Sequence, residues 1–207
     1  MEAAPSPDAR LKSVLSEFKY PEDSLVLESE SHWADWLKKH HAKSDGIWLI
    51  LAKKGTGVGL NYQNILETAI CYGWIDAIRK SATESSYLQR FTPRGRRSIW
   101  SKINRGKAIQ LIEAGKMQTA GLVEVERAKQ DGRWDLAYDR QGAAPIPADL
   151  AAAFQKNKQA RKFFETLDSR NRYAILFRLQ TAKKAETRAR RLAAFLEMLQ
   201  QGRKLVP

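Results

Sequence analysis

The stretch GIWLILAKK (Gly46–Lys54) decides the fold of the first half of the chain. It is an almost continuous apolar run that contains aromatic and β-branched residues. A run of this length is long enough for a buried strand and short for a helix. The sequence therefore predicts a buried strand here.

The flanking residues predict a helix on each side of this strand. Upstream, after a short β-prone run at Leu25–Leu27, apolar side chains recur at the spacing of one helical face, at Trp33, Trp36, Leu37 and His40. Downstream, Gly55–Gly59 is predicted to be a flexible turn, and it lacks the lysine and hydroxyl spacing of a phosphate-binding loop. Asn61 is then suited to cap a second helix that stops at Gly73.

The middle of the chain predicts a hairpin followed by helices. Two extended segments, Trp74–Lys80 and Ser86–Thr92, are separated by a short polar stretch, which is typical of a β-hairpin. After them, Ser98 or Ser101 is predicted to open a helix that ends before Gly115. A second helix is expected to follow.

The last part of the chain has a purely helical pattern. Asp168 or Ser169 is suited to cap one helix there, and Thr181 is predicted to cap the last. We expect an α+β fold, in which a small antiparallel sheet with packed helices is followed by an all-helical basic C-terminal unit. The predicted domains are a mobile N-terminal arm (1–23), an α+β domain (24–139), a Pro- and Gly-containing linker (140–147) and the helical C-terminal unit (148–207).

Composition excludes several classes of protein. With 207 residues, of which 43% are hydrophobic, the chain can build a core. The single cysteine, Cys71, excludes an internal disulfide framework and a multi-cysteine metal site, and it is expected to pack as a small hydrophobe. No apolar stretch reaches the roughly 18 residues of a transmembrane helix, and the N-terminus lacks a signal-peptide core. We therefore expect a soluble, cytoplasmic protein with no transmembrane segment.

The formal charge of +13 is concentrated in two places. Residues 88–107 contain seven basic and no acidic residues, and residues 156–207 contain 14 basic and 4 acidic ones. The remaining chain is mildly acidic. The basicity therefore belongs to one short loop-like segment and to the last quarter of the chain, rather than to the whole surface.

Five motifs carry a resemblance to a known family. They are WADWLKKHHAKSDGIWLILAKKG, AICYGWIDAI, YLQRFTPRGRRSIWSKIN, RAKQDGRWDLAY and AKKAETRARR, which occur in this order between about Leu25 and Gly202. Together they resemble the bacterial YdeI/OmpD-associated family, also labelled bacteriocin-protection proteins. The resemblance implies an association with an outer-membrane porin and a role in stress or bacteriocin protection, and it implies no catalytic residue and no cofactor.

The basic segment at 88–107 predicts an anion-binding corner. Arginine guanidinium groups are suited to a two-pronged grip on phosphate or carboxylate, and the N-terminus of a following helix favours an anion. The alternative is that some of the arginines pair with Glu67, Asp76 or Glu84 and the others lie in solvent. The predicted ligand-binding residues are Arg90, Arg94, Arg96, Arg97, Ser98, Trp100, Trp74, Asp76 and Glu67.

Acid–base catalysis and metal binding are two further kinds of chemistry for which the sequence offers candidate residues. Glu67 and Asp76 would serve acid–base catalysis if burial raised the pKa of one of them, although carboxylates beside arginines are more simply interpreted as ion-pair partners. His40 and His41 form a poor metal pair, because adjacent helical residues point about 100° apart. The sequence therefore predicts no metal site and no cofactor.

The basic residues near the C-terminus predict a docking face. They are Lys183, Lys184, Arg188, Arg190 and Arg191. We expect a binding protein that recognises a small anion or an acidic protein surface. The alternatives are a nucleic-acid-binding protein and an enzyme that acts on a small anionic substrate through Glu67 and Asp76.

Overall fold

The computed structural model describes residues 19–53 and 60–207. Most of the predicted N-terminal arm (1–23) and the predicted turn at Gly55–Gly59 lie outside these residues. Within them the elements are β1 (Ser24–Val26), α1 (Glu30–His40), β2 (Ile47–Ala52), α2 (Tyr62–Cys71), β3 (Trp74–Ser81), β4 (Ser86–Pro93), α3 (Lys102–Glu113), α4 (Thr119–Gln130), α5 (Ala148–Lys156), α6 (Lys158–Thr166), α7 (Ser169–Gln180) and α8 (Ala185–Gln200). The protein has an α+β fold, as the sequence predicts.

The four strands form one mixed sheet in the order β1-β2-β4-β3. The predicted hairpin is confirmed, since β3 and β4 pair antiparallel, and β4 also pairs antiparallel with β2. The prediction of a purely antiparallel sheet is wrong at one edge, where β1 runs parallel to β2. A parallel neighbour requires a crossover connection, which the segment containing α1 provides between the two strands.

The predicted buried strand is β2, and it lies at the centre of the first hydrophobic core. Leu49 on β2 is fully buried, as are Trp33 on α1, Ile65 on α2 and Phe91 on β4. The indole Nε1 of Trp33 donates a hydrogen bond to the carbonyl oxygen of Ile65 at 3.0 Å, which ties α1 to α2. This core holds both helices on the sheet.

Local capping chemistry sets most helix boundaries. The Asn61 side chain accepts a hydrogen bond from the Gln63 amide, and the Asp168 carboxylate accepts one from the Asn171 amide, so both predicted caps are confirmed. The predicted cap at Thr181 is wrong, because Thr181 ends α7 and its hydroxyl donates to the carbonyl of Phe177. Helix α8 instead begins after Lys184, without a side-chain cap.

The chain divides into two compact units that are not continuous in sequence. The first contains the described residues up to Ser98 together with Lys107–Arg127, and the second contains Ile99–Gly106 and Ala128–Pro207. The second unit has its own core, with buried side chains from α5 to α8 that include Leu150, Phe164, Ile175 and Phe195. The predicted linker at 140–147 stays a prediction.

Candidate anion-binding cleft

A cleft in the first unit brings together four segments that are far apart in sequence. Its volume is about 440 Å³. The walls come from the residues after α1, the α2–β3 junction, the end of β4 and the first turns of α4, and they include His41, Tyr72, Trp74, Arg94 and Thr119. Two of the residues predicted from sequence, Trp74 and Arg94, therefore line one cleft.

The α2–β3 junction takes its shape from Gly73. Its φ of +73° is unfavourable for other residues, and a Cβ atom there would lie 2.9 Å from the carbonyl oxygen of Ala120 in α4. The Gly73 carbonyl accepts a hydrogen bond from the Arg94 amide at 2.9 Å. The absence of a side chain at this position thus lets the start of α4 and the end of β4 approach the same turn.

Arg94 lies in the wall of the cleft and is only 4% exposed. Its carbonyl oxygen accepts a hydrogen bond from Nη2 of Arg127, and the same Nη2 forms a salt bridge with Glu124, another lining residue. The positive charge of Arg127 thus lies beside the carboxylate of Glu124. Glu124 and Arg127 could not be identified from the sequence, because their only local signal is a common i, i+3 spacing on a helix.

The aromatic part of the wall is built from α1 and the α2–β3 junction. Trp74 is almost completely buried, and its Nε1 donates to the carbonyl oxygen of His41 at 3.2 Å. The ring of His41 lies 5.2 Å from that of Tyr72, and burial raises the pKa of the Tyr72 hydroxyl. Trp74 therefore positions the backbone that carries His41, while its own ring has little surface to offer a ligand.

The other residues of the predicted corner do not join the cleft. Arg90 forms salt bridges with Asp23 and, at 4.0 Å, with Asp45. Arg96 and Arg97 are exposed, and Ser98 donates its backbone N–H to Gly95. Trp100 belongs to the second unit, where it is 1% exposed and its ring lies 5.0 Å from that of Trp134.

The two candidate catalytic carboxylates, Glu67 and Asp76, have separate partners. Glu67 forms a salt bridge with Lys107 of α3. Asp76 accepts a hydrogen bond of 2.6 Å from the hydroxyl of Tyr62, and burial together with this contact raises the pKa of Tyr62. Glu67 is thus a structural ion-pair partner, and Asp76 is a structural hydrogen-bond acceptor.

The predicted docking residues divide into two kinds. Lys183, Lys184 and Arg190 are exposed. Arg188 instead donates to both carboxylate oxygens of Asp149, at 2.7 and 2.9 Å, and to the carbonyl of Leu179 at 2.6 Å. These three hydrogen bonds make Arg188 part of the internal structure of the second unit.

The Arg188–Asp149 pair predicts a pH-dependent contribution to stability. The hydrogen bond from Arg188 holds the pKa of Asp149 below its ordinary value, so the stabilisation is present at neutral pH and is lost as pH falls through the folded-state pKa. We expect Asp149→Asn to lower the free energy of unfolding by about 1 kcal/mol at pH 7, because the pair is partly exposed. Urea unfolding at pH 7 and near pH 2 measures this difference, and a loss that is equal at both values would contradict the prediction.

The remaining chemistry of the described residues is limited. Cys71 is buried, and burial raises the pKa of its thiol, which fits a packed small hydrophobe. Among residues 19–53 and 60–207, no cluster of three His, Cys, Asp or Glu side chains is placed to hold a metal ion. In the same part of the chain no helix combines the length and apolarity needed to cross a membrane.

Comparison with known families divides the chain in two. Residues 25–124 match a model described as a domain of unknown function (DUF8412), and residues 143–202 match the model described as Bacteriocin-protection, YdeI or OmpD-Associated. No curated protein and no solved structure matches the chain. The resemblance to the YdeI/OmpD-associated family from Leu25 to Gly202 is thus supported by a family model at residues 143–202. Most of the motifs before residue 143 lie within the match to the domain of unknown function. Over residues 143–202, the chain is therefore similar to the bacteriocin-protection, YdeI- or OmpD-associated family.

Proposed function

We propose that the protein is a non-enzymatic binding protein that recognises a small anion in the cleft beside Arg94. The observation that carries the proposal is the position of this side chain, which is nearly buried and lines the cleft. A guanidinium group in such a wall provides directed donors for a carboxylate or phosphate, in surroundings with less water to screen the charge.

The first turn of α4 supports the same ligand chemistry. Thr119 and Ala120 line the cleft, and the first turn of this helix contains no acidic residue. The N-terminal amide groups of a helix and its dipole favour an anion. The one carboxylate of the lining, that of Glu124, is paired with Arg127. A role in stress or bacteriocin protection is what the family match at residues 143–202 adds to this proposal.

A thermal-shift screen with phosphate, nucleotides and dicarboxylates tests the proposal. At a ligand concentration about 100 times the Kd, binding stabilises the folded state by about 2.7 kcal/mol, which corresponds to a rise in Tm of roughly 5–10 °C for a chain of this size. We expect at least one anion to give such a rise, and we expect Arg94→Ala to abolish it.

Val123 offers a variant that does not depend on a buried residue. It lines the cleft and is 57% exposed, so Val123→Glu should fold normally and repel an anion, whereas Val123→Gln should retain binding. Arg96→Ala, which removes an exposed arginine from the same loop, is the matched control and should leave the shift unchanged. A flat screen, or a shift that survives both Arg94→Ala and Val123→Glu, would overturn the proposal.

A further inference from the structure

Helix α7 ends in a concentration of basic side chains. Arg188 and Arg191, both from α8, donate hydrogen bonds of 2.6 Å to the last carbonyl groups of α7, those of Leu179 and Arg178 respectively. Carbonyl groups at a helix C-terminus lack partners within the helix and carry the negative end of its dipole, so they attract such cations. The contact fixes the guanidinium of Arg191 next to the backbone of Arg178.

The neighbouring residues enlarge this cluster. Lys183 and Lys184 occupy the turn between α7 and α8, and both are exposed, as is Arg178. We call Arg178, Lys183, Lys184 and Arg191 the basic corner. Arg188 is left out, because its charge is paired with Asp149.

Other acidic groups limit the reach of the corner's field. Lys183 is close enough to Asp131 to contribute, after the larger effect of Arg133, to a lowered pKa of that carboxyl. Glu186 lies in the first turn of α8. These carboxylates partly offset the positive charge of the corner, and salt screens the rest. The corner therefore attracts acidic groups most strongly within about one Debye length of 8–10 Å.

We propose that the basic corner docks a short acidic segment of a partner protein. Arg191 lies seven positions after Lys184, the residue that precedes α8, which is a rise of about 10 Å along an α-helix. In an extended peptide, carboxylates on alternate residues lie about 6.5–7 Å apart, so two or three of them cover this distance. Nucleic acid gains its affinity from many phosphates along a longer path, which four cations at one helix junction do not provide. Charge complementarity and the size of the corner therefore favour an acidic polypeptide.

Fluorescence anisotropy with the full-length protein tests this proposal. One probe is a labelled hexaglutamate peptide, and the other is a labelled heptathymidylate, whose six phosphates give it a similar charge. At about 50 mM salt we expect the peptide to bind, and we expect Lys183→Glu combined with Lys184→Glu to weaken it about tenfold or more. The matched control is Lys156→Glu combined with Lys158→Glu, which changes the net charge equally at two exposed lysines outside the corner and should leave binding within about twofold.

Three results would overturn the proposal. The first is that the peptide does not bind at low salt. The second is that both double variants lose the same affinity for the peptide. The third is that heptathymidylate binds more tightly than the peptide and loses as much affinity in the Lys183→Glu, Lys184→Glu variant. The last result would assign the corner to nucleic acid. Val123→Glu changes the cleft and not the basic corner, so we expect it to leave peptide binding unchanged. The two proposals can therefore be contradicted independently of each other.

Discussion

Replacement of Trp33 by alanine is expected to lower the free energy of unfolding by about 3–5 kcal/mol, the range for removal of a large buried aromatic side chain. Trp33 is fully buried, and its ring centroid lies 5.5 Å from those of Trp36 and Phe91 and 6.4 Å from that of Trp74. The substitution therefore leaves a cavity against three aromatic rings. It also leaves the carbonyl oxygen of Ile65 without the hydrogen bond from the indole.

Chemical denaturation with matched variants checks this prediction. Trp36→Ala removes the same kind of side chain three residues along α1, but Trp36 is half-buried, so we expect a loss of only about 1–2 kcal/mol. Trp33→Phe retains most of the ring and loses the hydrogen bond, so its loss should be about 1–3 kcal/mol. If Trp33→Ala cost no more than Trp36→Ala, Trp33 would not be at the centre of the core.

Gly121→Ala is expected to destabilise the protein by about 3 kcal/mol, at the upper end of the usual range for overpacking. Gly121 lies in α4, and a Cβ atom there would clash with the carbonyl oxygen of Cys71 and lie 2.8 Å from its carbonyl carbon. Both atoms belong to the backbone at the end of α2, so a rotamer change cannot relieve the clash. The two helices would have to separate, which also widens the adjacent cleft.

Gly106 provides the control for this variant. It lies inside α3, and among the described residues no atom beyond its neighbours and its own helix backbone is within 4 Å of a Cβ placed there. Gly106→Ala should therefore stabilise the protein by about 0.5–1 kcal/mol, because alanine loses less backbone entropy in a helix. Opposite signs of the two changes, measured by thermal and urea unfolding, are the expected result. Destabilisation of similar size in both variants would show that steric contact at Gly121 is not the cause.

The elements that could be predicted from the sequence are those with a strong local signal. The apolar run before Lys53 predicts β2, and the two extended segments around a polar turn predict β3 and β4. Caps such as Asn61 and Asp168 act through the next two or three residues, which makes them visible in the sequence. The direction of β1 is not encoded in this way, because strand pairing depends on the path of the chain between the strands.

The candidate site could be predicted only in part for the same reason. Arg94 and Trp74 stand out by residue type and by the turns beside them. Glu124 and Thr119 reach the cleft through the packing of α4 against the α2–β3 junction, which depends on Gly73 and Gly121. Trp100 is only six positions from Arg94 in the sequence, yet the chain passes into the second unit between them.

Because the two units are discontinuous in sequence, neither can be transferred to another protein as one continuous segment. The matches at residues 25–124 and 143–202 suggest two domains that follow each other in the sequence. A cut within residues 140–147 would nevertheless remove from the helical unit the segments that contain Trp100 and Trp134 and the backbone bridge between Ser101 and Tyr138. A graft of the helical unit into another protein would have to carry residues 99–106 and 128–139 with it. If residues 143–202 were transferred alone, the host chain would therefore have to supply the packing that these two segments provide.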